Sequence, residues 1–207
     1  LPMTFFGLVQ AAFVGFFAGE DFSEGTVRNK IVAGNRRRDI YLSQMLSAGM
    51  AAEALYVITI ALTVSVGLPL FAHDIGAKEI TACFGLGALT VLAMGSIFYM
   101  ISMCIGNRSV AVTVCMGLAF LMLFLCLHTN QVLAQPQLKD GVLNVHYVSG
   151  TKRMIYELLH DMNPMGQIAQ LTEMKYISAV RWILTDIVWL LVSLGGGILV
   201  FEKKDIR

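Results

Sequence analysis

Apolar residues run along this chain in long blocks separated by short polar ones, rather than in the single stripe of a soluble amphipathic helix. A bilayer core about 30 Å thick needs roughly 20 mostly apolar residues in a helix. Stretches of that kind fall at about 1–19, 43–72, 80–105, 109–134 and 180–201. Glu53 interrupts the second, and Asp186 the last, which also has Arg181 at its edge; the others are uncharged. The pattern predicts an all-α, polytopic membrane protein with five visible spans. None of the five reads as a secretory signal, because each is too long and four lie far from the amino terminus.

Composition narrows the classes further. Of 207 residues, 57% are hydrophobic and 14% charged, with a mean hydropathy of +0.70. Soluble domains carry about 25% charged residues. A disordered chain, a nucleic-acid binder working through a basic patch and almost any soluble enzyme are thereby excluded. Fifteen Lys and Arg against fourteen Asp and Glu leave +1, so only the distribution of charge is informative.

Basic residues in short loops mark the cytoplasmic side. Arg28, Lys30, Arg36, Arg37 and Arg38 lie in the first loop, Arg108 in a tight turn, and Lys203, Lys204 and Arg207 in the tail. The loop between the second and third spans, around His73–Glu79, has Lys78 alone. Threading five spans puts the three basic segments on one side. The carboxyl terminus is then cytoplasmic, 20–40 is a cytoplasmic loop and 135–179 lies outside. The visible amino terminus falls outside as well, and the chain begins at Leu1, so a sixth span is expected upstream. The whole of 1–207 reads as one transmembrane domain.

Several features of the spans carry two readings. Gly7, Ala11, Gly15 and Gly19 recur every four residues and form a small-residue stripe, suited to close packing within the chain or to a subunit interface. An intramembrane carboxylate is costly and points to function unless it is protonated or hydrogen-bonded near a span end, facing protein or interface. Asp186, close to the outer boundary, fits the bonded case; Glu53 lies deeper and stays open as a pathway residue. Cys83, Cys104, Cys115 and Cys126 fall in spans without a CxxC pair and read as packing. Asn107-Arg108-Ser109 matches a glycosylation sequon but sits in a cytoplasmic turn. Gly195-Gly196-Gly197 fits a close-contact patch or a hinge. No metal site is expected from the four dispersed histidines, 73, 128, 146 and 160.

Outside, Met154, Ile155, Leu158, Leu159 and Met162 share one helical face and Lys152, Arg153, Glu157 and Asp161 the other. A helix there should stop at Asn163-Pro164. Met165–Met174 follows as a second helical piece, the two lying on the membrane surface and capping the spans, or serving as a lid.

The first loop is more than a connector. Acidic residues precede basic ones across Glu20–Lys30, Asp21 or Ser23 can cap a helix, and Gly34 suits a left-handed end. Phe22, Val27 and Ile31 can share a face, so a short amphipathic helix is expected, acting as an anchor or as a docking surface.

Here the residues resemble a family. Glu20-x-x-Ser23-Glu24-Gly25-Thr26-Val27-Arg28-Asn29, then Gly34-x-x-Arg37-x-x-Ile40-Tyr41, is similar to the loop after the second span of type-2 ABC transporter permeases, bacterial export-type membrane subunits. Asn163-Pro164 before the last span and its ending Gly197-Ile198-x-x-Phe201-Glu202-Lys203-Lys204-Asp205-Ile206 agree. The resemblance implies a coupling helix at Glu24–Lys30, with Glu20, Glu24, Gly25, Thr26, Val27, Arg28, Asn29 and Lys30 meeting a separate ATPase subunit. It also implies a second permease chain, homo- or heterodimeric, in the cell membrane. ATP and Mg would be bound by the partner ATPase and no cofactor by this chain, which has no phosphate-cradling loop and is not itself an enzyme. Peptides, antibiotics, lipids or other amphiphiles would be exported; no nucleic acid is involved. Gln44 departs from the pattern, standing where the family commonly has Lys. The competing reading is an ion-coupled transporter or channel using Glu53.

Overall fold

The computed structural model describes residues 2–71, 77–139, 142–172 and 178–204. Leu1, His73, Met174, Asp205, Ile206 and Arg207 lie outside the described residues. The chain is a helical bundle: α1 (Pro2–Ser23), α2 (Thr26–Val32), α3 (Arg37–Phe71), α4 (Ala77–Ile105), α5 (Arg108–Leu133), α6 (Gly150–Met162), α7 (Pro164–Thr172) and α8 (Ala179–Lys203). A two-residue antiparallel ladder, β1 (Leu138–Lys139) with β2 (Val142–Leu143), interrupts it between α5 and α6. Among the described residues, α1, α3, α4, α5 and α8 are long and apolar enough to cross a membrane.

The helices outrun the apolar blocks at their charged ends. α1 continues through Glu20 and Asp21 to Ser23, and α3 begins at Arg37 rather than near 43. Loss of hydrophobicity does not end a helix; an incompatible backbone does. Here Gly25, at φ 69°, stops α1.

α4 is the central span, packed against α1, α3, α5, α7 and α8. Its most apolar stretch is 61% buried, against 11% for α3, so α3 and its neighbours leave broad apolar surface outward, as lipid permits. The small-residue stripe of α1 packs within the chain. A Cβ on Gly15 would lie 3.0 Å from Val112 Cα, and one on Gly19 2.7 Å from Arg108 Cα. Ala11 is wholly buried. The backbones of α1 and α5 therefore meet closely, through the stripe.

The segment after α5 departs from the surface-lying expectation. Asn163-Pro164 does end α6, and Pro164 opens α7. Yet α7 is sunk among α1, α4, α5 and α6, with Met165, Gln167 and Ile168 buried. Asn163 fixes the corner, donating from Nδ2 to the Met122 carbonyl at 2.7 Å and accepting from the Met165 amide at 3.1 Å. α6 turns Met154, Ile155 and Leu159 away from the protein and His160 and Asp161 into it. That inverts a soluble helix, because the polar partners are inside.

Candidate functional site

The first loop, the Arg108 turn and the tail meet at one end of the bundle. Arg37, at the start of α3, donates from Nη1 to the Phe201, Glu202 and Lys204 carbonyls at 3.3, 3.1 and 2.5 Å. Those carbonyls lie at the α8 carboxyl end, where that of Phe201 also accepts from the Lys204 amide, so a cation there satisfies both hydrogen bonding and the helix dipole. Lys204 does the same for α4, donating to the Met103 carbonyl at 2.7 Å beneath the Phe22 ring. Its partial burial pushes the ammonium below its ordinary pKa. Arg108 lies 3.4 Å above the Phe16 ring and 3.6 Å from Glu20 Oε1. Asn107 caps α5 by accepting from the Val110 amide at 3.2 Å.

On this clamped end sits α2. It starts at Thr26, two residues later than the Glu24–Lys30 helix that the resemblance implied, because Gly25 occupies the N-cap and neither Asp21 nor Ser23 caps it. Asp21 instead accepts from Gln44 Nε2 at 2.5 Å, and Gln44 Oε1 faces the Tyr99 hydroxyl at 3.4 Å. Gln44 is thus a buried amide linking α1, α3 and α4, and takes the place of the lysine expected there. Phe22 belongs to α1 and packs edge-on against Phe201 at 6.3 Å. Val27 is buried beneath α2 with Ile31 beside it. Glu24, Arg28 and Asn29 are exposed, while Thr26 and Lys30 are half-buried. After α2, Gly34 at φ 89° takes the expected left-handed turn. Asn35 then donates from both its backbone and side-chain nitrogens to the Lys30 carbonyl, at 3.2 and 3.0 Å. The helix is short and fixed at both ends, and its outer face carries Arg28 and Asn29 with the exposed Val32.

The two intramembrane carboxylates are separate. Asp186 is 1% exposed; its Oδ2 lies 3.1 Å from the Thr90 hydroxyl, which also lies 3.0 Å from Gln167 Oε1. Gln167 spends its amide protons on the Asp161 carbonyl and Thr185 hydroxyl. Asp161 in turn pairs with Arg181 at 3.0 Å and accepts from Gln170. This polar cluster ties α4, α6, α7 and α8 together; Asp186 is bonded to it through Oδ2, while its Oδ1 is buried without a partner. Sequence reasoning missed Thr90, Gln167 and Gln170, since polar residues on different elements give no periodic signal. Glu53 lies elsewhere, on the open face of α3, lining a groove between α3, α4 and α8.

Cys115 lies 3.2 Å from Ser102 Oγ and Cys126 reaches the Met165 carbonyl at 3.4 Å, both as buried packing groups. Gly197 makes the close contact expected of the glycine triplet, against Tyr41, whereas a Cβ at Gly195 would meet open space.

Such a bundle, with crossing helices and a clamped polar end, defines a multi-pass membrane component rather than a soluble domain. A family model described as ABC-2 family transporter protein matches residues 3–206. The chain belongs to that family and is a transmembrane permease component of ABC transport. No curated protein and no solved structure matches it.

Proposed function

We propose that this chain is the membrane half of an ATP-driven exporter, and that α2 is its coupling helix, seated on a separate ATPase subunit that binds ATP and Mg. The observation that carries the reading is the mounting of α2. Its buried Val27 and the turns at Gly25 and Gly34 fix it to α1 and α3, while Glu24, Arg28 and Asn29 face outward. A lever must be stiff at its root and free at its contact surface, and rigid-body motion of an ATPase would reach the spans through such a piece.

The same end carries the basic loops, so it faces the cytoplasm, with the carboxyl terminus there and α6 and α7 outside. Substrate would move along the interface with a second permease chain, in a bacterial cell membrane. An amphiphile such as a lipid, antibiotic or peptide suits the apolar faces left open. Gly25→Trp should abolish ATPase association while leaving membrane insertion intact. Unchanged association would remove the reading of α2 as the contact.

A further inference from the structure

The groove that holds Glu53 has a volume of about 640 Å³, within the range of pockets for drug-sized ligands. Leu46, Met50, Leu92, Leu190 and Leu194 are among its walls, with Gly49 and Gly95 also in the lining. Glu53 stands sixteen residues after Arg37, the first residue of α3, about 24 Å along the helix and so at bilayer depth. It is the single ionisable residue among the described lining, and its Oε1 is enclosed with no hydrogen-bond partner. Ser96, the hydroxyl in the same wall, spends its proton on the Ala93 carbonyl at 2.7 Å and cannot donate to it.

A lone carboxylate in apolar surroundings is costly until it takes up a proton or a counter-charge arrives, and the described lining offers no lysine, arginine or histidine. A counter-charge that keeps it ionised therefore comes with the occupant. An inorganic cation is poorly served: Ca²⁺ takes six to eight oxygen ligands, and Glu53 and Ser96 are the oxygen-bearing side chains here. A lipid tail would fill the walls and leave the carboxylate unpaired, and an anion would be repelled. We propose that the groove binds a hydrophobic organic cation, its apolar body against the leucine and methionine wall and its positive centre against Glu53. Methionines in that wall, Met45 and Met50, adapt to ligands of varied shape. The proposal rests on the reading of the chain as a transport subunit and gives that subunit's substrate class.

Binding to the purified full chain in lipid nanodiscs tests it without any ATPase, so its failure is separate from failure of the coupling reading. The probe is radiolabelled tetraphenylphosphonium, with empty nanodiscs as the blank and tetraphenylborate, of the same shape and opposite charge, as competitor. Saturable binding is expected, with tetraphenylborate failing to compete. Glu53→Gln should weaken it tenfold or more, as loss of one partner in a desolvated charge pair does, and Glu53→Asp should restore part of it. Leu46→Trp, which fills the groove and leaves the charge alone, should also weaken it. Absence of saturable binding, equal affinity in well-folded Glu53→Gln, or equal competition by tetraphenylborate would overturn the proposal.

Discussion

Tyr41 on α3 donates its hydroxyl proton to the Ser193 carbonyl on α8 at 2.9 Å, and both lie buried where α3, α4 and α8 meet. The tyrosine ring fits because Gly197, one turn on, has no side chain: a Cβ there would fall on the Tyr41 hydroxyl. Gly197→Ala should therefore cost about 1–3 kcal/mol through overpacking. Gly195→Ala should be neutral or gain up to about 1 kcal/mol from helix propensity, since its Cβ meets nothing. Melting temperatures of the two variants in one detergent check this contrast; equal losses would contradict it.

The turn before α2 gives a second contrast. Gly25 holds φ 69° with no atom within 4 Å of a would-be Cβ, so any penalty is conformational and not steric. Gly25→Ala should cost about 1–2 kcal/mol locally, and Gly25→Asn less, because asparagine tolerates the left-handed region. Hydrogen exchange across Thr26–Val32 should rise in the alanine variant more than in the asparagine one.

Asp186 tests the inner polar cluster. Thr90 has one hydroxyl proton and faces three acceptors, the Leu86 carbonyl, Gln167 Oε1 and Asp186 Oδ2. Asn at 186 can supply a donor at nearly the same volume, so Asp186→Asn should stay within about 1 kcal/mol of the parent. Asp186→Ala leaves a cavity and strips a partner, at about 2–4 kcal/mol. Thermal unfolding orders the variants; an asparagine variant as weak as the alanine one would contradict the bonded reading.

The outer and inner faces of α2 should separate by function. Arg28 is exposed and Val27 is 1% exposed. Arg28→Glu should leave the melting temperature unchanged and weaken ATPase association about tenfold or more if the contact is a charge pair. Val27→Asp should lower both, because it buries an unpaired charge. An Arg28→Glu chain that associates normally would move the contact off this face.

How far the sequence could be read depended on what each feature leaves in the pattern. Spans were legible because bilayer thickness imposes a long apolar block, and α4, α5 and α8 begin and end within three residues of the expected limits. α1 and α3 overran theirs, since charged residues such as Glu20 and Arg37 remain good helix formers and the stop comes from backbone geometry. The stripe Gly7, Ala11, Gly15 and Gly19 marked a close-packing face, but only coordinates identified α5 as its main partner. α7 was misplaced because Gln167 and Gln170 look like surface residues until the partners waiting inside, Thr90 and Asp161, are known. Gln44 appeared as a departure from the family pattern; its place between Asp21 and Tyr99 explains how an uncharged side chain fits there.

The most direct measurement purifies the tagged chain from native membranes in mild detergent, quantifies any ATPase subunit that accompanies it and follows ATP hydrolysis. The account predicts an ATPase in equal amount to the permease, with hydrolysis in the complex. A chain that emerges alone and intact, under conditions that preserve other transporter complexes, would contradict it and favour an ion-coupled transporter working through Glu53.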